Sequence, residues 1–396
     1  MKNKPAAKRL EREFWTKAAV ILVLIGIVAW FLFELNRSTP VVNPDEVYNF
    51  GYYRARVTAV LFDDASPHEE ERFEGLRSGR QEIELELLNG PHKGETFQIE
   101  NYLSPFANVD VTTGMTIIVR YQDYGNGNIS VLVYNYNRAV IVGVLALILA
   151  VLLVVIGGKK GLMALLGLVF TLLCLWFLLI PLVMRGYNML LTTIAIVAIS
   201  TAVCLLMLAG FTRKAYSAIL GCVMGVTVAG LFTWIASLIT PLSGLNMLDA
   251  ERLVYYATEG GMKVSGLFVC GVLIASLGAV MDVAMSISSA VNELVELNPE
   301  LPTRQVFRSG MNIGKDAMGT MANTLILALI GSSLNTFILT HAYEIPFSQL
   351  FNSDFIVIEL VQGIAGTIGI VLTVPFVAFI SSQMMSTHGR KAAGSR

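Results

Sequence analysis

Long apolar runs dominate the chain and alternate with short charged segments. A helix needs about 20 predominantly apolar residues to cross the hydrocarbon core of a bilayer. We interpret eight runs as membrane-spanning helices, at residues 18–35, 139–156, 161–184, 189–211, 215–239, 264–286, 317–340 and 355–382. The pattern predicts a mainly α membrane protein, a polytopic bundle of about eight transmembrane helices.

The segment between the first two runs has a different pattern. Five stretches alternate apolar and polar residues with the period of two that half-buried strands show, at 53–62, 82–88, 96–100, 116–121 and 129–134. Turn chemistry follows the second stretch, where Gly90, Pro91 and Gly94 lie close together. A hydrophilic helix or loop is expected over 66–80. Five strands predict a small extracytoplasmic β-barrel or sandwich, inserted after the first helix.

Composition and charge narrow the class of protein. Hydrophobic residues make up 55% of the chain and charged residues 14%, against about 25% charged in soluble domains, so the apolar excess must face lipid. A net charge of −1 gives no reason to expect nucleic acid as a partner. All four cysteines fall in predicted spans and the four histidines are scattered. We therefore expect no disulfide framework, metal site or cofactor.

The distribution of Lys and Arg predicts the orientation. With the N-terminus in the cytoplasm, every cytoplasmic loop is basic, whereas the short outer loops hold only Arg185, Arg252 and Lys263. No small-residue cleavage pattern follows the first run, which we interpret as an uncleaved anchor. These observations predict a multi-pass protein of the cell membrane with both termini in the cytoplasm. Its predicted divisions are a basic N-terminus (1–17), an anchor helix (18–35), an extracytoplasmic β-rich domain (36–138), a seven-helix bundle (139–385) and a cytoplasmic tail (386–396).

Polar side chains in the last three predicted spans fall on one face of each helix. Their spacing is close to multiples of a helical turn, so each set forms a stripe. Gly278 continues the first stripe with a small residue, and Glu359 begins the last one near its outer boundary. If the stripes face one another, they line a common internal path. The candidates for transport or proton relay are Asp282, Ser286, Thr320, Asn323, Asn335 and Gln362.

Asp282 is the one ionisable side chain among these candidates. Ionisable groups are costly inside a bilayer, usually face the interior of a bundle and often serve a function. A carboxylate there without a cationic neighbour is suited to taking up and releasing a proton. Two other interpretations stay open: Asp282 could be a capping group near the cytoplasmic interface, and Asn323 and Asn335 could hold helices together.

Three ordered segments carry a resemblance that covers nearly the whole chain. They are LNGPHKG at 88–94, GAVMDVAMSI at 278–287 and GMNIGKDAMGTMANTL at 310–325. With the order of anchor, β-domain and helical bundle, the chain resembles the YibE/F family of bacterial membrane proteins. The resemblance implies a multi-pass cell-membrane protein, often accompanied by a sister protein that lacks the outer domain. It marks Gly90, Gly94 and Gly278 as motif residues and implies no activity.

A second resemblance concerns mechanism. The pattern GxxxDxA, formed by Gly278, Asp282 and Ala284, is similar to the acidic helix of resistance-nodulation-division permeases, where an Asp takes part in proton relay. Two features differ from that family: four spans instead of two separate the outer domain from the Asp helix, and the basic partner within the membrane is absent. A homo-oligomer or a sister membrane subunit is the conjectured source of that partner.

Two functional hypotheses follow from the sequence. The first is a permease or transporter subunit of unknown substrate, with transport through the last three spans and proton coupling through Asp282. The alternative is a membrane-anchored receptor or scaffold whose β-domain binds a ligand or partner. The lipid bilayer is the common partner of both. An enzyme is not expected, because the chain has no Walker A loop, GxSxG or HExxH motif.

Overall fold

The structure is a computed structural model that describes residues 34–37, 50–67, 75–124, 128–247, 250–251, 253–254 and 261–393. The basic N-terminus and the predicted anchor up to residue 33 lie outside these ranges. The chain forms two compact units, one of Val41–Leu152 and one of Met1–Pro40 with Leu153–Arg396.

The first unit contains an antiparallel sheet. Its strands are β1 (Phe50–Asp63), β2 (Ser66–Pro67), β3 (Arg77–Leu87), β4 (Thr96–Leu103), β5 (Thr116–Asp123) and β6 (Ile129–Tyr136). The order is β2-β3-β1-β5-β6, and β4 pairs with β3. The sheet forms a half-barrel, so the prediction of a β-rich domain is confirmed. All five predicted strands are present. Four of them extend past a predicted end by one to three residues, whereas β3 begins five residues before the predicted start and ends one residue before the predicted end.

Alternation explains why these segments form strands with one buried face. In β3, Ile83, Leu85 and Leu87 are completely buried, while the glutamates between them lie on the other face. The inward side chains of β1, β5 and β6 complete a core that includes Val57 and Ile117.

The prediction of a helix or loop over residues 66–80 is wrong at both ends. Ser66–Pro67 pairs with the start of β3, which begins at Arg77. Arg77 extends the sheet because its guanidinium binds Asp63 at 2.7 Å and Asp110 at 3.0 Å. These contacts are distant in sequence, so local composition could not predict them.

Gln81 connects these groups from within the core. Its fully buried amide donates to carboxylate oxygens of Asp63 at 3.0 Å and Asp110 at 2.9 Å, and it accepts from Asn101 at 3.0 Å. The hydrogen bond from Gln81, followed by those from Arg77 and the backbone, holds the pKa of Asp63 below its usual value, against the effect of desolvation. The network is therefore a structural clamp at one end of the half-barrel.

The second unit is helical. Its elements, beginning with a helix shared with the first unit, are α1 (Ala139–Cys174), a π-helical segment (Leu175–Leu179), α2 (Ile180–Met184), α3 (Met189–Ala209), α4 (Arg213–Ile239), α5 (Leu267–Leu297), α6 (Thr303–Ser332), α7 (Leu334–Ala342), α8 (Phe347–Leu350) and α9 (Asp354–Ala393).

Five helical stretches of the described chain are long and apolar enough to cross a membrane, or six if α6 and α7 form one bent span. The longest, Ala139–Met184, covers two predicted spans. It is interrupted at Gly158, where φ is +55°. A Cβ on Gly161 would lie 1.9 Å from the carbonyl oxygen of Leu153. In a straight helix these residues are about 12 Å apart, so the chain turns back here and the two predicted spans are distinct.

Small residues allow the central helices to approach closely. A Cβ on Gly225 of α4 would lie 1.7 Å from Oγ1 of Thr373 on α9, and one on Gly314 of α6 would lie 2.3 Å from Val374. Buried hydroxyls add contacts between helices: Ser217 of α4 lies 2.6 Å from Ser288 of α5. The structure is thus a mainly helical membrane protein with close helix packing, as the sequence predicts.

Candidate functional site

The predicted stripe on α5 lies on the exposed side of the helix. Asp282, Ser286 and Gly278 are exposed, whereas Val280, Val283 and Ala284 face the core. A Cβ on Gly278 would meet no atom within 4 Å. The sulfur of Cys204 on α3 is close enough to Asp282 for an electrostatic interaction. Asp282 therefore lies on the side of α5 that is nearest α3, outside the core.

The predicted residues of the seventh span are also exposed. Thr320 and Asn323 lie on the surface of α6, opposite the buried Gly314 and Leu325. Asn335 is exposed on α7. The stripe on α9 is different, because Gly366, Gly369 and Thr373 are buried. Within the part of the chain that the structure describes, the three stripes therefore do not line a continuous internal path.

The helices α5 and α9 approach each other at the end of the bundle where both begin. The side chain of Gln362 on α9 reaches α5 there: a Cβ on Gly271 would lie 3.4 Å from Nε2 of Gln362. Of the six candidates, Gln362 is the one that the structure places in a cavity at this end.

A helix break forms the opposite wall of this cavity. α6 and α7 are bent by 62° where Ser332 and Ser333 interrupt the span. Ser333 has φ −102° and ψ 12°, outside the regular helical range, and its carbonyl oxygen accepts from the amide of Thr336 at 3.0 Å. Irregular backbone at membrane depth is tolerated where protein covers it or where it lines a cavity.

The cavity has a volume of about 370 Å³, which falls within the range of about 300–1,000 Å³ typical of ligand sites. Met247, Ile356 and Ile358 supply its apolar walls. No Lys or Arg is present among the described residues that line it. The polar lining consists of Asn246, Ser332, Ser333, Thr336, Glu359 and Gln362.

Glu359 is the charged group of this cavity. Its Oε2 atom is buried and has no hydrogen-bond partner among the described atoms. The same side chain borders a smaller cavity of about 90 Å³, otherwise lined by apolar residues of α6, α7 and α9. A buried carboxylate oxygen that lacks a hydrogen-bond partner is a position that a bound cation can fill.

A larger cavity of about 550 Å³ lies at the same end, lined by residues that include Asn188, Ser237, Ser243 and Lys263. Its lining includes no buried polar atom that lacks a partner, within the described residues. The cavity at Glu359 is therefore the stronger candidate for a specific site.

The motif residues of the β-domain have structural roles. Asn89 accepts from the amide of Arg54 at 2.7 Å, which fixes the turn against β1. Gly90 has φ +99°, and a Cβ there would lie 2.5 Å from the ring of Tyr53. Gly94 also has a positive φ, +87°. Only glycine adopts such backbone conformations readily, so this motif reflects turn geometry.

The outer face of β1, β5 and β6 combines exposed aromatic rings with arginine. The rings of Tyr52 and Tyr134 are 4.6 Å apart, and both side chains are about half exposed. Tyr52 pairs with Arg120 across the strands, and the guanidinium of Arg120 lies 5.9 Å from the centre of the Phe50 ring. Such a face can bind planar or polar ligands by stacking and hydrogen bonding.

Comparison with known families identifies both parts of the chain. The model of the YibE/F-like protein family matches residues 145–387, and that of the YibE/F family N-terminal domain matches residues 51–136. No curated protein and no solved structure matches the chain. Neither matching family concerns resistance-nodulation-division permeases, so that likeness stays a hypothesis.

Proposed function

The chain belongs to the YibE/F family, and from that premise we propose that it is a permease or transporter subunit whose coupling cation binds Glu359. The observation that carries this proposal is a buried carboxylate oxygen that has no hydrogen-bond partner among the described residues and faces a polar cavity at a broken span. Discontinuous helices often form the ion and substrate sites of transporters.

Charge is the reason to propose a cation as the ligand. Glu359 is acidic, and the side chains around it supply hydroxyl and amide oxygens, from Ser333, Thr336 and Gln362. Such oxygens are the ligands that hard cations prefer. A proton can occupy the same carboxylate. If the cation and the proton occupy Glu359 in turn, the movement of the cation is coupled to the movement of the proton.

Orientation and the role of Asp282 belong to the same proposal. With both termini in the cytoplasm of the cell, the cavity opens near the outer surface of the membrane. Asp282 lies on α5 toward the end of the bundle opposite the cavity. We retain it as a second candidate carboxylate for proton relay. In this proposal Glu359 binds from outside and Asp282 acts later in the path. The protein has no enzymatic role in this scheme.

Proton flux tests the proposal. The full chain, purified with any subunit that accompanies it, is reconstituted in vesicles that contain a pH-sensitive dye, and a gradient of sodium or potassium is imposed. We expect a pH change with wild type, its loss with Glu359→Gln, and its retention with Glu300→Gln, a matched change at an exposed position between α5 and α6.

Two results would contradict the proposal. One is flux in Glu359→Gln equal to that of wild type. The other is no flux in a wild-type protein that unfolds cooperatively on heating. Asp282→Asn is measured in parallel, because flux lost in that variant alone assigns coupling to Asp282.

A receptor or scaffold is the second candidate function. The exposed aromatic and arginine face of β1, β5 and β6, with Tyr52, Tyr134 and Arg120, favours it. If the protein is a receptor or scaffold, Glu359→Gln and Asp282→Asn are expected to leave its function in cells intact. The double change Tyr52→Ala with Tyr134→Ala is expected to impair that function. The opposite pattern of sensitivity would exclude the receptor as the main function.

A further inference from the structure

The helices α5 and α6 each expose polar and small residues on a surface that the described helices leave uncovered. We define the outward face of α5 as Ala275, Gly278, Asp282, Ser286 and Glu293, all of which are exposed. We define the outward face of α6 as Arg308, Lys315, Asp316, Gly319, Thr320 and Asn323, which are likewise exposed. Cβ atoms on Gly278 and Gly319 would meet no atom of the described residues within 4 Å.

The parts of these faces that lie within the predicted spans, which include Asp282 and Asn323, would otherwise contact lipid. A carboxylate such as Asp282 or an amide such as Asn323 is costly in that position, because lipid tails offer no hydrogen bonds or counter-charge. Small residues have the opposite effect when another helix is present, since they let two backbones approach. The combination is typical of a surface that another protein helix covers.

Packing contacts fix which residues of α5 and α6 lie at equal depth. A Cβ on Gly310 would lie 3.1 Å from the side chain of Val291, and a Cβ on Gly314 would lie 2.9 Å from the side chain of Ile287. Because the two helices are antiparallel, each residue further along α5 lies level with a residue one position earlier in α6. Glu293 on α5 is therefore level with Arg308 on α6.

Charge identifies the occupant. The helix α5 contains the acids Asp282, Glu293 and Glu296 and no Lys or Arg. The helix α6 contains three basic residues and Asp316 as its one acid. A two-fold rotation about the membrane normal preserves depth, so it brings the acidic face of α5 opposite the basic face of the other copy's α6 at matching levels.

We propose that a second copy of this chain covers the outward faces of α5 and α6, which buries Asp282 and Asn323 between the two copies. Glu293 then lies opposite the partner's Arg308, and the reciprocal pair forms by symmetry. Gly278 and Gly319 let the helices approach. This assembly does not depend on a cation at Glu359, so the two proposals can fail separately.

Small-to-large substitution in lipid nanodiscs tests the assembly. Wild type is expected to have the mass of a dimer by native mass spectrometry. Ala275→Leu is expected to give the mass of a monomer, because the added side chain separates the helices. Ala195→Leu is the matched control, since Ala195 is an exposed alanine on α3, and it is expected to remain dimeric. A monomeric wild type, or a dimeric Ala275→Leu, would overturn the proposal.

Cross-linking in intact membranes gives a second readout that does not depend on extraction. Asn323→Cys places a thiol on the outward face of α6, and a bifunctional maleimide is expected to join two copies. Wild type, with its four native cysteines, measures the background. A covalent dimer above that background supports the assembly. A product that contains a different protein, or no product, would count against a second copy as the occupant.

Discussion

Gly225 offers a test of the close packing on which the helical bundle depends. In Gly225→Ala, the new methyl carbon would lie 1.7 Å from Oγ1 of Thr373 and 3.2 Å from the carbonyl oxygen of Gly369. Thr373 is completely buried, and its hydroxyl donates to that carbonyl at 2.7 Å. The hydroxyl therefore cannot move without losing its partner, and α4 and α9 must separate.

Overpacking of this kind costs about 1–3 kcal/mol, which corresponds to a fall in melting temperature of roughly 2–12 °C. The native cysteines supply the assay, because Cys174, Cys222 and Cys270 are buried and a thiol-reactive dye labels them as the bundle unfolds. Gly143→Ala is the matched control, since a Cβ there meets no atom within 4 Å and alanine favours a helix.

A second substitution distinguishes a collision with Thr373 from nonspecific destabilisation of the bundle. Thr373→Ala removes the oxygen that collides with the new methyl group, so the double variant is expected to be more stable than the sum of the two single changes implies. Strict additivity would refute the contact between Gly225 and Thr373. A Gly225→Ala protein that melts within about 1 °C of wild type would refute the close approach of α4 and α9.

Further predictions concern the β-domain and are measured in the full chain by hydrogen–deuterium exchange. Gly90→Ala is expected to destabilise the turn after β3 by about 1–3 kcal/mol, because φ is +99° and the methyl group would collide with Tyr53; unchanged exchange there would contradict this. The pKa of Asp63 is below its ordinary value of 3.8, so its contribution to stability is complete above that value and is lost as the pH falls through the lower, folded-state pKa. Asp63→Asn is expected to weaken this acid dependence, and an equal dependence in both proteins would refute it. Gln81→Leu leaves the carboxylates without their buried donor and is expected to cost about 1–3 kcal/mol, seen as faster exchange in β3 and β4.

The strands and spans could be predicted because their patterns are local. Strict alternation in β3 and long apolar runs in α3, α4 and α5 identify these elements without reference to the rest of the chain. The strand β2 was not predictable, because two residues carry no period. The start of β3 at Arg77 was missed for a different reason: its partners Asp63 and Asp110 are distant in sequence.

The candidate site was predictable only in part. Gln362 and Glu359 stand out because they interrupt an apolar run, although Glu359 was assigned to the outer boundary and not to a site. The apolar run at 317–340 predicts a single span and does not reveal the break that Ser332 and Ser333 form. The run Gly331-Ser332-Ser333 within apolar sequence was the available signal for a break.

Which side of a helix faces its own chain could not be predicted from periodicity. The stripe of Asp282 and the stripe of Asn323 each fall on one face, and the sequence pattern does not say whether that face is internal. The assumption that polar residues face the interior holds for Thr373 on α9. For α5 and α6, the interior of a single chain is filled by apolar residues such as Val280 and Leu325, so the polar faces lie outside.

Cation binding at Glu359 is the central claim, and the most direct test is the melting temperature of the nanodisc-embedded protein in sodium, potassium, magnesium or calcium chloride, each compared with choline chloride at equal ionic strength. A cation at 100 times its dissociation constant stabilises the folded state by about 2.7 kcal/mol, which raises the melting temperature by roughly 5–11 °C. We expect at least one of these cations to raise it in wild type and in Glu300→Gln, and none to raise it in Glu359→Gln. A melting temperature that no cation changes in wild type, or an equal rise in Glu359→Gln, would contradict the proposed site.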